Sequence, residues 1–395
     1  MRSRRKKKQK QVLLIIENTY HYGRSIIRGI EHYATQNNWE VIFEPRGLAE
    51  PLPNWLDVWD GDGIISRLID FDMIDRVRRT GLPNVQLAGR PEIMDVKSDQ
   101  HLSAIMAADH LLGCGFQNFA YYSYGASWWS STLGDYFERE IHSRGYQCSR
   151  IQFVSGDVEA PVPKWSLDER KRLQKWLLHL PKPVAIFCAD DIHAREVLWV
   201  CHQNGLYVPN KVAVLGLDND PWLCQNLVPP LSSIDANGFL TGWKAAEVLN
   251  DLIAGRPRPV QPVVIPPLHV TARQSTNVIA IPDSDLAAAL RLLRTADPLY
   301  TSVADLVREV NLSQKTLERR FRQYLGKTPE QEIMRIRIER SKILLRESSF
   351  SVESVALKTG FYSQGHFIKT FKRAVGMTPG YYRLQARQDE TDSVR

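Results

Sequence analysis

Three carboxylates stand at the ends of two apolar runs. "VAIFCA" is followed by Asp190 and Asp191, and "VAVLGLD" closes on Asp218. A carboxylate accepts two hydroxyl hydrogen bonds at once, and an arginine donates to two oxygens. Such groups suit a neutral polyol, whose apolar C–H face an aromatic ring can cover. The nearest candidate cations are Arg195, one helical turn beyond the aspartates, and Arg90, just after "NVQLAG". Candidate rings are Tyr20 and Tyr22 in "ENTYHYGRS", Trp128 and Trp129 in "GASWWSS", and Trp222 after Asp218. Each has a plainer reading. Asp190 and Asp191 are also a helix N-cap and first-turn acid for "IHAREVLWVC", and Arg195 is also a partner for Asp191. Asp218 is also a cap or loop acid, Arg90 a surface arginine, and the tryptophans packing groups.

Several chemistries are excluded or disfavoured. Asp190 and Asp191 are adjacent, so on a strand end they diverge, whereas the facing pair of a glycosidase comes from separate elements. No G-x-S-x-G, H-E-x-x-H or P-loop is present, so the residues do not point to an enzyme. The loop after the first strand, "ENTYHYGRS", is polar and aromatic rather than glycine-rich, which weakens a nucleotide reading. Five scattered cysteines without C-x-x-C spacing argue for a reducing compartment with no zinc site, and no cofactor is expected. "VLLII" near the start is too short to span a membrane and runs into polar residues without a cleavage site, against a secretory signal.

The scaffold around these groups is legible in the pattern. From Gln11 to about Thr276, short apolar runs such as "VLLIIEN", "DGIIS", "FAYYSY" and "VAVLGLD" alternate with helical segments such as "RSIIRGIEHYATQ" and "HAREVLWVCHQNG". That alternation predicts open parallel sheets with helices on both faces, with ligands beyond the carboxyl ends of the strands. The 395 residues suggest two or three domains. Net charge is +7, divided as +7 in residues 1–10, −6 in 11–282 and +6 in 283–395. A basic C-terminal part beside an acidic middle suggests that the end meets a polyanion. The first ten residues read as a solvated basic tail or as an extra phosphate contact.

The end repeats itself. "NLSQKTLERRFRQYLGKTP" begins at Asn311 and "GFYSQGHFIKTFKRAVGMTP" at Gly360. Leu306, Val310, Leu312, Leu317 and Phe321 in the first copy match Val352, Val355, Phe361, Phe367 and Phe371 in the second, at helix-turn-helix spacing. Asn311 and Gly360 are types that tolerate the left-handed backbone of a sharp turn. Ser313 and Ser363 are expected N-caps. Leu317, Phe321 and Leu325, like Phe367, Phe371 and Val375, form an inward stripe. The outer face carries Gln314, Lys315, Glu318, Arg319 and Arg322 in one copy, and Gln364, Gly365, His366, Lys369 and Arg373 in the other. Two such faces in a basic domain point to double-stranded DNA. "TPEQEIMRIRIERSKILLRE" between them predicts one long helix, with Thr328 as cap and Pro329 at its first position.

"HLSAIMAADHLLGCGFQNFAYYS", "VPNKVAVLGLDND", "LSSIDANGFLTGWKAAEVL" and "VVIPPLHVTARQST" resemble, in that order, the periplasmic-binding-protein-like sensor domains of the LacI type. The resemblance implies two lobes hinged by crossing strands and closing on a small ligand, with Asp218 at the ligand-binding aspartate and Asp190–Asp191 at a pair often Asn-Asp. It also shows a departure: the hydroxyl-clamping arginine expected before Phe137 is replaced by Ser131 or Leu133. "LSQKTLERRF", "RIRIERSKILL" and "SVESVALKTGFYSQGHFIKTFKRAVGMTPGYYR" resemble the AraC-type DNA-binding domain. That implies base reading by Lys315, Glu318 and Arg319, and by Gln364, Gly365, His366 and Lys369, with Ser363 at the start of the second helix. The order of the two parts resembles the XylR-like regulators. The implied organisation is a basic tail (1–10), an α/β two-lobed sensor and dimerisation domain (11–276), a linker (277–284) and an all-α DNA-binding domain (285–395). The implied partners are a double-stranded DNA operator, a small-molecule effector (a sugar or, as the alternative, a non-sugar metabolite or a protein partner acting on the sensor), RNA polymerase and a second copy of the chain, without a membrane.

Overall fold

The computed structural model describes residues 9–47, 50–124, 128–153, 167–278, 283–295, 302–310 and 312–383. Most of the basic tail, the middle of the linker and Asn311 lie outside them. The chain divides into two compact units, Met1–Ala108 with Phe119–Thr276, and Asp109–Asn118 with Asn277–Arg395.

The first lobe of the α/β unit is built on β1 (Lys10–Ile15), α1 (His21–Asn37), β2 (Trp39–Phe43), β3 (Gly63–Ser66), α2 (Phe71–Arg79) and β4 (Asn84–Gln86). Its sheet runs β2-β1-β3-β4, all parallel. β1 is central, which explains its unbroken apolar run: both faces are covered. Val12 and Leu14 pack with Ile26 and Ile30 of α1, whereas Leu13 and Ile15 pack with Leu56, Ile74 and Val77 on the other side.

The chain then passes through β5 (Val96–Ser98) into α3 (Gln100–Gly113), β6 (Asn118–Tyr124), α4 (Trp128–Ser143), β7 (Cys148–Phe153), α5 (Leu167–His179), β8 (Val184–Cys188), α6 (Asp191–Gln203), β9 (Val212–Leu217), α7 (Pro221–Asn226) and β10 (Ser232–Ile234). It returns to the first lobe as α8 (Gly238–Ile253) and β11 (Val263–Ile265), and crosses again into β12 (Val270–Thr271). The second sheet runs β12-β10-β9-β8-β6-β7, with β10/β9, β9/β8 and β6/β7 parallel and β10/β12 antiparallel. β5 and β11 pair with each other between the two sheets. The later crossings are tied together: Asp235 N donates to His269 O and Leu268 N to Asp235 O, each at 2.9 Å. Three passes of backbone therefore join the lobes, as expected for a hinged sensor.

α8 lies against α1 closely enough to demand glycine. A Cβ on Gly242 would stand 1.9 Å from Ile26 O, and one on Gly29 would stand 2.0 Å from Phe239 O. The two glycines let the helices interlock backbone to backbone.

The helical unit holds α9 (Ser284–Thr295), α10 (Val303–Val310), α11 (Gln314–Leu325), α12 (Pro329–Glu347), α13 (Val352–Lys358) and α14 (Gln364–Val375). Leu306, Val310, Leu317, Phe321 and Leu325 are buried together with Leu286, Leu290 and Ile333. Val355, Phe361, Phe367, Phe371 and Val375 are buried in the second half. There Phe367 meets Phe371 edge-on at 5.4 Å, and Phe371 meets Tyr382 at 5.5 Å. Ser313 Oγ accepts from Thr316 N, Ser363 Oγ from His366 N, and Thr328 with Gln331 closes a capping box. Gly360 takes the left-handed backbone, φ +82°, before α14. The linker helix α12 runs unbroken for 19 residues. Within it Ser341 reaches Thr359 at the end of α13, at 2.9 Å, inside the core.

Candidate functional site

The carboxyl ends of β1, β3 and β4 in one lobe and of β6, β8 and β9 in the other carry the candidate ligand groups. They face one another: Arg24 of α1 reaches Asp220, just beyond β9, at 3.1 Å.

On the second lobe, Asp218 follows β9 with φ +103°, a backbone that few non-glycine residues adopt. Its N–H is bound to Ile234 O, whereas its half-buried carboxylate makes no hydrogen bond among the described residues. Burial, with Asp191 and Asp190 beside it, pushes that carboxyl well above the usual range against the pull of Arg67. Asp190 is the N-cap of α6: its Oδ1 accepts from His193 N at 2.8 Å and lies 2.5 Å from His193 Nδ1. Burial works against its charge, but the His193 charge and these bonds hold the carboxyl below its ordinary value. Asp191 turns inward and is 2% exposed. It accepts from Ser233 Oγ (2.6 Å), Asp220 N (2.8 Å) and Cys224 Sγ (3.3 Å). Burial raises it to about 7 in spite of those bonds. The adjacent pair thus splits, one acid at the cleft edge and one bracing β10 and the start of α7.

Arg195 is partly exposed and donates to Glu196 at 2.9 Å, not to Asp191. Tyr20, half-buried at the start of α1, lies within the fields of both Asp190 and Arg195; burial first, then Asp190, raises its phenol. Trp128 and Trp129 open α4 at the carboxyl end of β6, with Trp128 exposed. Trp222 is 76% exposed at the start of α7. Arg90 is exposed at the end of the first lobe's sheet, its guanidinium 5.2 Å over the Phe71 ring. Tyr22 is fixed by Ser98 Oγ at 2.6 Å. Of the positions expected to hold an arginine, Leu133 is fully buried, and Ser131 Oγ accepts from Arg150 at 3.1 Å.

Two residues not singled out from the sequence complete the cleft. Glu17, at the end of β1, is 1% exposed, and Arg67, at the end of β3, pairs with it at 2.6 Å. The available signal was the same as for Asp218: a charged residue closing a fully buried strand.

In the helical unit the outer faces stand free. Gln314, Lys315, Arg319 and Arg322 are exposed on α11, with Gln314 donating to Glu318 at 3.0 Å. Gln364, Gly365, Lys369 and Arg373 are exposed on α14, and a Cβ on Gly365 would meet nothing. His366 is stacked at 4.5 Å under Tyr362, a ring 80% exposed and absent from the sequence-based set. Arg320 instead faces Asp283 and Asp285 at 2.7 and 2.9 Å and holds α11 to the start of α9.

A two-lobed sensor followed by two helix-turn-helix units defines a DNA-binding transcriptional regulator. A periplasmic binding protein-like domain is matched over residues 108–276 and a helix-turn-helix domain over residues 306–385. The chain is 26% identical to the xylose operon regulatory protein of Escherichia coli K12 over 392 residues, 95% of this chain and 97% of that one. It is 27% identical to the protein of that name from Haemophilus influenzae, covering 95% and 98%. The solved structure of the xylose-binding transcription activator xylR superposes with a TM-score of 0.59 at 25% identity, over 95% of this chain and 98% of that one. The chain is a XylR-like regulator, with a periplasmic-binding-protein-like sensor and an AraC-type helix-turn-helix domain, and these relatives are regulators rather than enzymes. Among the described residues no helix is long and apolar enough to cross a membrane.

Proposed function

We propose that the chain activates a sugar-catabolic operon in the cytoplasm in response to a xylose-like sugar bound between the lobes. The observation that carries this reading is Asp218, a half-buried carboxylate at a strand's carboxyl end with no hydrogen bond of its own among the described residues. An aldose hydroxyl pair supplies two donors to such a group. The relatives named for the xylose operon, and the xylose-binding title of the similar structure, support the same ligand class. Asp190, Tyr20 and Arg195 surround the same space, and Trp128 or Trp129 covers an apolar sugar face. Closure on the sugar changes how two DNA-binding units are presented by a homodimer, and the coupling is bounded by the ligand's preference for the closed state. RNA polymerase is the partner that activation requires.

A thermal-shift titration with D-xylose tests the ligand. Sugar at a hundred times its dissociation constant stabilises the sensor by about 2.7 kcal/mol. Asp218→Ala removes that stabilisation while leaving ligand-free operator binding intact. An Asp218→Ala variant with unchanged xylose affinity rules the assignment out.

A further inference from the structure

Glu17 is a buried acid, ion-paired through Oε1, and neither of its carboxylate oxygens has a well-directed hydrogen bond among the described residues. Leaving such an oxygen unmatched is costly, and a donor arriving from outside removes the cost. Arg67 stands beside it with Nη1 2.6 Å from Oε1. The guanidinium also lies 5.3 Å over the Tyr22 ring, and the Arg67 backbone N–H is bound to Ile15 O. Its orientation is therefore set, while further N–H groups of the fork remain for another acceptor. Among the described residues, other cations near the cleft are already engaged: Arg195 with Glu196, Arg24 with Asp220, Arg46 with Glu50 O, and Arg90 over Phe71. Ser131 and Leu133 supply none. Across the cleft, Asp218 and Arg67 feel each other's charge.

We propose that Arg67, backed by Glu17, supplies from the first lobe the cationic clamp missing from the second. One ligand hydroxyl accepts from Arg67 and donates to Glu17 Oε2, while a neighbouring hydroxyl donates to Asp218. The ligand class is set by the charges. Arg67 is already paired with Glu17, and the groups it faces, Asp190 and Asp218, are acids that offer a sugar carboxylate no positive charge, so a neutral polyol is favoured over a sugar acid. This rests on the sugar reading above and adds to it the residue that sets specificity.

Isothermal titration of the full chain with D-xylose, its mono-deoxy analogues and D-glucuronate tests it. Arg67→Leu weakens xylose binding by about 10–150-fold, the range for a hydrogen bond to a charged group. One deoxy analogue binds the wild type as poorly as xylose binds the variant. For that analogue alone, the Arg67 substitution makes little further difference, a coupling that a merely structural role does not produce. The double variant Glu17→Gln, Arg67→Gln avoids an unpaired buried charge; it is expected to melt near the wild type yet lose xylose. Xylose binding unchanged in the double variant overturns the Arg67 assignment while leaving the sugar reading standing. Glucuronate binding more tightly than xylose overturns the neutral-ligand class. A wild type that binds none of these sugars removes the sugar reading and the clamp with it.

Discussion

At the residue scale, two neighbouring acids do opposite things because the chain turns between them. Asp190 caps α6 at the cleft edge, whereas Asp191 is swallowed by Ser233, Cys224 and the Asp220 amide. Burial raises the Asp191 carboxyl from 3.8 to about 7. A folded-state value above the unfolded one means that its contribution is complete below about pH 4 and fades as pH rises through 7. Asp191→Asn is therefore expected to flatten the fall of sensor stability between pH 4 and 7, measured as melting temperature at each pH against the wild type. A variant with the wild-type slope would place that titration elsewhere. Sequence reasoning reached Asp218 and Asp190 because each ends an apolar run. Glu17 and Arg67 close buried strands as Asp218 does, but that signal does not show that the two meet, which needs β1 and β3 side by side.

At the element scale, spacing carried most of the fold. The alternation of buried runs with amphipathic segments encodes the parallel sheets, and the serines before α11 and α14 cap as their type requires. What spacing could not give is the closeness of α1 and α8, two helices separated by some two hundred residues. That contact is written in Gly29 and Gly242, and a glycine inside a helix reads locally only as a weak point. Gly242→Ala would drive a methyl to within 1.9 Å of Ile26 O. Because backbone must move, the expected loss is about 1–3 kcal/mol by chemical denaturation, despite alanine's better helix propensity. A gain in stability instead would mean that the helices separate at little cost. In the DNA-binding half, Ser363→Ala removes a cap and is expected to cost about 1 kcal/mol.

At the scale of the whole molecule, the doubled motif makes a prediction about the operator. The 19 residues of α12 span about 28 Å, close to the roughly 34 Å between successive major grooves on one duplex face. If α11 and α14 each enter a groove, one protomer protects two blocks about one helical turn apart. The blocks differ, because α11 offers Lys315, Glu318 and Arg319 where α14 offers Gln364, His366 and Lys369. Arg319→Ala is expected to cost about 1–3 kcal/mol at one base position of one block, the range for a bidentate contact to guanine. Removing a phosphate-binding lysine instead weakens all sequences alike and lowers the salt slope, so Lys369→Ala shows which kind of contact the second helix makes. Gly365 presents no side chain, so discrimination in the second block rests on fewer groups than in the first. The exposed Tyr362, stacked on His366, is the remaining large group at that end of α14. Footprinting that shows a single block, unmoved by changes in α14, reduces the second unit to a scaffold. Two blocks, each lost with its own helix, mean that the repeat in the chain answers a repeat in the groove.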